Sequence, residues 1–208
     1  MEIILEFILN LVGFILGTIC GIITYNGFNK IGSPTLFRLT IAFFAIGIGF
    51  FVMVFRHMPY SQLQEVSVNE TIQIIGSSFQ TLGYFFIAFS HTIKSFFPTK
   101  RYFRSILPFF LISLSNIENI IRSIAFILLI YGSIETIFSY VEKKNKKTIC
   151  VAAGLLLLAL GEFFSWYQFL FPGSIFDNIS IILKIIGLIS LFLPITKIKI
   201  NFNSNTNR

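Results

Sequence analysis

The chain has 208 residues, 55% of them hydrophobic and only 12% charged, with a mean hydropathy of +0.82 and a formal net charge of +7. Soluble domains carry about 25% charged residues, so a water-soluble globule is excluded: a core of this size could not hide so many Ile, Leu and Phe side chains. The composition predicts an all-α, polytopic membrane helix bundle.

The opening stretch, MEIILEFILNLVGF, lacks the basic n-region and small-residue cleavage site of a signal peptide, and it reads as a retained first span over 3–24. Within it, GFILGTICG sets Gly13, Gly17 and Gly21 four residues apart. Such glycines share one helical face and let another backbone approach closely. Packing within the bundle and a dimer contact are both open to them. Further apolar runs long enough to cross follow at 37–55, 71–91, 118–140, 149–170 and 178–196. Between the third and the next lies RSILPFFLISLSNIEN, a shorter apolar run that contains Pro108.

Charge decides whether that run, 104–117, crosses, because Lys and Arg in short loops collect on the cytoplasmic side. If it crosses, seven transmembrane helices result, with the N-terminus outside and the C-terminus inside. Every basic residue except Arg56, Arg122 and Lys184 then falls on the cytoplasmic side, and Glu2, Glu6, Glu65, Glu70, Glu118 and Asp177 fall outside. If it does not cross, KKNKK at 143–147 faces the opposite side from KSFFPTKRYFR and the asymmetry collapses. Seven crossings of a cell membrane are therefore expected. The bilayer is the main partner, and anionic lipid headgroups meet the basic loops, where each Lys or Arg is worth ~1 kcal/mol. Nucleic acid is not implied. A membrane-protein partner or a second copy of the chain remains open.

A single transmembrane domain over 1–200 is expected, with 201–208 as a disordered cytoplasmic tail. The first and fifth crossings run in the same direction, which permits a parallel 3+1+3 arrangement. Repeats at 1–95 and 118–200 would be joined by the helix at 104–117. The text LTIAFFAIGIGFFVMVF at 39–55 resembles VAAGLLLLALGEFFSWYQF at 151–169 when Gly49 is set on Gly161. After each comes an expected exterior loop, NETIQIIG at 69–76 and DNISIILK at 177–184. Parallel repeats of this kind occur in transporters.

The segment GIITYNGFNKIGSPTLFRLTIAFFAIGIGF, 21–50, resembles a recurring segment of small archaeal membrane proteins of uncharacterised function. There a first span ends in an aromatic-plus-basic turn, then GS, then a second span rich in Gly and Phe. The stretch SSFQTLGYFFIAFS around Gly83 fits the same pattern, so the resemblance covers roughly 10–95. Similar text occurs in the seven-helix sensory modules that precede histidine kinases. That resemblance implies a sensory role with its output in a partner.

Ionisable groups inside a span are costly and tend to face the bundle interior. Glu162, in LALGEFFSW, and Lys184, in IILKIIGL, lie at similar depths on two spans joined by a short turn, so an ion pair is expected between them. A pair that only fixes packing and a proton- or ligand-responsive site are both open readings. Glu118 and Arg122, four apart near an exterior helix end, should share a face and snorkel outward. Glu135 has no sequence-local partner unless KKNKK reaches back to it. Gln73, Ser77 and Gln80 follow an i, i+4, i+7 spacing and, with Asn10, could line a cavity or act as hydrogen-bonding glue. Cys20 and Cys150 form no CxxC pair or Cys/His cluster, and His57 and His91 are isolated, so no metal, disulfide or cofactor is implied. Nor is there a nucleophile–base set. The function expected is a non-catalytic sensory or accessory membrane module; the alternative is a small transporter or transporter subunit using the buried Glu/Lys site.

Overall fold

The computed structural model describes residues 2–56, 66–92, 117–144, 146–170 and 174–205. They form α1 (Glu2–Ile31), α2 (Pro34–Phe55), α3 (Val66–Thr92), α4 (Ile117–Lys143), α5 (Lys146–Leu170) and α6 (Ser174–Asn205). Among the described residues there is no strand, and all six helices are long and apolar enough to cross a membrane. The expected seventh, at 104–117, lies outside the described residues except for Ile117, which opens α4.

The break between α1 and α2 follows from IGSP. Gly32 takes φ +65°, where a side chain would be strained, and its amide donates to the Phe28 carbonyl at 2.7 Å. Ser33 stays extended at the N-cap, and Pro34 opens α2, where its missing N–H costs nothing. The outward faces are apolar: Ile15, Ile19, Phe51, Phe85, Ile137, Leu156 and Ile189 are exposed, whereas Asn10, Ser77, Gln80, Arg122, Glu162 and Lys184 are buried. That inversion suits a lipid surround, in which greasy surface is no penalty and polar groups must find partners inside.

Neighbouring helices close a ring: α1 packs on α2, α2 on α3, α3 on α4, α4 on α5, α5 on α6, and α6 returns to α1. Glycines let the helices approach. The expected packing face of α1 is used inside the bundle, with Gly13 against Phe50, Gly17 against the Gly47 backbone and Gly21 against Phe44. Contacts pair rising with falling numbers in α1/α2, α2/α3, α4/α5 and α5/α6, so those pairs are antiparallel. The α3/α4 pair differs. Gln73 meets Glu118, Thr81 meets Ile121 and Gly132 lies against Ala88, so both helices run the same way. Thr92 and Ile117 consequently sit at opposite ends of the bundle.

The α2/α3 and α5/α6 pairs repeat the same contacts. Gly49 lies against Gly76 and Gln80, and Gly161 against Ser180 and Lys184. Gly83 lies against Ile46 and Ala42, and Gly187 against Leu158 and Gly154. The matching of Gly49 with Gly161 thus has a structural counterpart. The expected loops do not: 69–76 is part of α3 and 177–184 part of α6, and Gly76 corresponds to Ser180, one helical turn away from the register read in the sequence. Helix α6 also continues to Asn205, so 201–205 of the expected disordered tail is helical, because nothing after Pro194 breaks the hydrogen-bonding pattern.

Adding a methyl at Gly17 would place it 2.8 Å from the Gly47 Cα, whereas at Gly27 the nearest atom is the flexible end of Leu36 at 3.4 Å. Gly17→Ala should therefore lower stability by about 1–3 kcal/mol, and Gly27→Ala should be neutral or stabilising. Denaturant unfolding in micelles checks both.

Candidate buried ionic site

Lys184 owes its position to Gly161. With no side chain there, the lysine stem crosses α5, its Cγ 2.7 Å from where a Cβ would stand. The ammonium then reaches three acceptors: Glu162 Oε1 at 2.7 Å, Ser165 Oγ at 3.3 Å and Gln80 Oε1 at 3.3 Å. An ammonium has three N–H donors, so this set satisfies it. The expected Glu162–Lys184 contact is present, with 2% and 4% of the two side chains exposed. Gln80 stretches over Gly49 much as Lys184 stretches over Gly161. These two equivalent positions meet across the seam between the halves.

The network extends beyond that pair. Arg122 does not snorkel as expected. It is buried, holds Glu118 through Nε at 2.8 Å and Nη2 at 2.7 Å, and turns Nη1 towards Glu162 Oε2 at 3.5 Å. It lies on the face of α4 that packs against α3 and α5, where Glu118 and Glu162 supply its counter-charges. Tyr84, fully buried, adds its hydroxyl beside the Glu162 carboxylate. Ser180 hydrogen-bonds to Ser165 and donates to the Gly161 carbonyl at 2.8 Å. With its oxygen turned to Arg56, the Gln73 amide accepts from Nη1 at 2.8 Å and donates to Glu118 Oε2 at 3.0 Å. Arg56 also meets Asp177 at 3.6 Å. The chain of contacts therefore closes on itself, from Lys184 through α5, α4, α3 and α2 back to Asp177 on α6.

A cavity of about 30 Å³ lies inside this belt. Glu6, Asn10, Arg56 and Asp177 line its outer part, with Gln80, Ser165, Ser180 and Lys184 deeper in and Phe50, Met53 and Ile181 as apolar wall. That is room for about two waters, at roughly 10–15 Å³ each.

Of the residues expected at a polar site, Glu162, Lys184, Gln73 and Gln80 come together. Ser77 is buried but gives its hydroxyl to the Gln73 carbonyl of its own helix at 2.7 Å. Glu135 is apart from the cluster: it lies about 20 Å along α4 from Arg122 and is hydrogen-bonded to Tyr131. Asn10 lines the cavity and donates to the Glu6 carbonyl at 2.9 Å. Residue-by-residue reading missed Glu6, Arg56, Ser165, Asp177 and Ser180 as site members. The available signal was spacing: Ser165 lies three residues beyond Glu162 and Ser180 four before Lys184, each on the same face as its neighbour.

Among the described residues, no three His, Cys, Asp or Glu side chains are grouped to hold a metal. No protein-family model, curated protein or solved structure matches the chain, so the resemblance of 21–50 rests on those residues alone.

Glu162 is the shared counter-charge of two cations on two helices. Glu162→Gln should strand Lys184 and cost ~3–5 kcal/mol, the usual penalty for breaking a buried pair. Glu162→Gln with Lys184→Met should cost less than Glu162→Gln alone. Unfolding free energies of the single and double variants in micelles give the coupling directly, and its absence would mean the two charges do not support one another.

Proposed function

We propose that the chain is a non-catalytic, multi-pass module of a cell membrane that receives a small polar or ionic solute at the end of the bundle where α1 begins. One-sided access carries this reading. Arg56 and Asp177 retain 30% and 14% side-chain exposure, and the cavity beneath them ends at Lys184. Beyond Lys184 the interior is filled by Phe43, Ile87, Leu129, Leu155 and Leu188, all fully buried. In α1/α2, α2/α3 and α5/α6, glycines bring the backbones into close contact. Between halves, Lys184 spans the seam to Gln80. A solute that changes the partners of Lys184 therefore changes how the halves meet, which is what a sensory or accessory module would transmit to a membrane partner or a second copy.

The parallel course of α3 and α4, which leaves Thr92 and Ile117 at opposite ends of the bundle, supports the proposed seventh crossing. A 3+1+3 duplication has the support of the repeated glycine contacts. In this topology the N-terminus is outside. Lys30 and Lys144 then lie at the cytoplasmic end, facing anionic headgroups, and Glu70 lies at the outer end. One observation favours transport as a second reading: Lys184 and Gln80 sit near the middle of their spans on the seam between two parallel halves, where repeat-built transporters hold their substrates.

Two measurements test this. In a background lacking Cys20 and Cys150, an impermeant thiol reagent applied to intact cells should label Glu70→Cys and not Lys144→Cys; the reverse pattern overturns the orientation. In proteoliposomes, screened small polar solutes should raise the melting temperature of the wild type and not of Glu162→Gln, without net uptake. Uptake that Glu162→Gln abolishes would replace the receptor by a transporter.

A further inference from the structure

Hydrogen bonding around Lys184 leaves donors unspent on the cavity side. An ammonium only donates, so the Gln80 amide must turn its oxygen to Lys184, at 3.3 Å. Its two N–H groups then lie on the other side of the amide, and among the described residues neither has an acceptor. A guanidinium carries five N–H groups; Arg122 gives two to Glu118 and one to Glu162, which leaves two. Asn10 gives one amide N–H to the Glu6 carbonyl and keeps a second. Gln80, Arg122 and Asn10 all line the cavity, and they are only 3%, 7% and 4% exposed. The acceptors at its deep end are already engaged. Gln80 Oε1 and Ser165 Oγ accept from Lys184, and the Gly161 carbonyl accepts from Ser180.

Building on the receptor reading, we propose that the solute this cavity takes up is a single monatomic anion of the halide class, held by the amide N–H groups of Gln80 and Asn10 and the guanidinium of Arg122. Buried donors need acceptors. A water supplies one but brings two protons that need acceptors in turn, whereas a halide accepts from every side and donates nothing. Charge points the same way. Arg122 and Lys184 reach the cavity lining, while their counter-charges, Glu118 and Glu162, stand off it. The carboxylates that do line it, Glu6 and Asp177, belong to its outer part, where Arg56 meets Asp177. Space fits as well: room for about two waters admits a monatomic ion and excludes a solute of several heavy atoms. A metal cation would meet N–H groups and positive charge instead of oxygens. The bound anion would tie α1 and α3, through Asn10 and Gln80, to Arg122 of α4. It would thus draw the two halves together beside the Lys184–Gln80 contact, which is the change a receptor passes on.

The test uses the full chain in lipid nanodiscs at fixed pH and ionic strength. Replacing gluconate by chloride or bromide should raise the melting temperature, and the rise should saturate with halide concentration. Gln80→Glu keeps an acceptor for Lys184 but replaces the two N–H donors by a carboxylate oxygen, so it should weaken the halide at least tenfold. Asn10→Asp makes the same exchange in the outer part of the cavity; it too should weaken the halide, and it serves as the test if Gln80→Glu does not fold. Glu70→Gln, on the exposed side of α3, should leave the halide effect in place. A wild type indifferent to both halides overturns the proposal, and so does a halide effect of undiminished affinity in the cavity variants, which would place the ion on the basic surface. A melting temperature that follows exchange of sodium for N-methylglucamine, and not of gluconate for chloride, would assign the site to a cation and likewise overturn it. If no ion acts but another small solute shifts the melting temperature in a Glu162-dependent way, the anion assignment fails and the receptor reading stands. Chloride uptake into proteoliposomes that Glu162→Gln abolishes would keep the anion site and remove the receptor reading.

Discussion

An ammonium group held near the middle of an apolar span must find acceptors for all of its protons, and much of this bundle is organised around meeting that demand for Lys184. One helix cannot supply them. Glu162 and Ser165 come from α5, and Gln80 comes from α3, across the seam. Once Glu162 is committed to Lys184 it also draws Arg122, and Arg122 in turn fixes Glu118. Burying one charge thus recruits a succession of others, each of which would be costly alone. The outcome is a belt of charged contacts at one end of the bundle, while the buried polar residues further along, such as Thr24, Thr40 and Ser133, are neutral and hydrogen-bonded.

The contacts of the two halves match through their backbones, and their side-chain chemistry diverges. Where α5 and α6 carry Glu162, Ser165, Ser180 and Lys184, the corresponding places in α2 and α3 hold Phe50, Met53, Gly76 and Gln80. The glycine contacts that set the helix spacing are retained on both sides, and of these four places only Gln80 is polar in α2 and α3. Both halves still bring polar groups to the cavity, Glu6, Asn10, Arg56 and Gln80 from one and Arg122, Asp177 and Lys184 among those from the other. At the place equivalent to its own, Lys184 meets the Gln80 amide.

Glycines bring backbones together in α1/α2, α2/α3 and α5/α6, where a helix face without side chains has nothing to repack, and Gly132 lies against Ala88 where α3 meets α4. The joint between α4 and α5 instead carries charge, because Glu162 pairs with Arg122 as well as with Lys184. A perturbation of Glu162 therefore acts both within the second half and, through Lys184 and Gln80, across the seam.

The sequence by itself determined the class of the protein and the rough position of each described helix, because apolar runs of spanning length have few other uses, although α1 runs on to Ile31, past the expected end of the first span at 24. It also determined the Glu162–Lys184 contact, since two opposite charges at similar depth on adjoining spans have no better partner in lipid. Helix ends were less legible. Polar residues at 69–76 and 177–184 resemble loops, yet they continue α3 and α6, where Gln73, Ser180 and Lys184 find their partners inside the bundle. Only the tertiary structure decided that Arg122 turns inward, that Arg56 and Asp177 bridge α2 and α6, and that α3 and α4 run parallel. Those outcomes depend on which faces meet across helices far apart in the chain, and a hydropathy pattern specifies how deep a residue lies without specifying its azimuth around the helix.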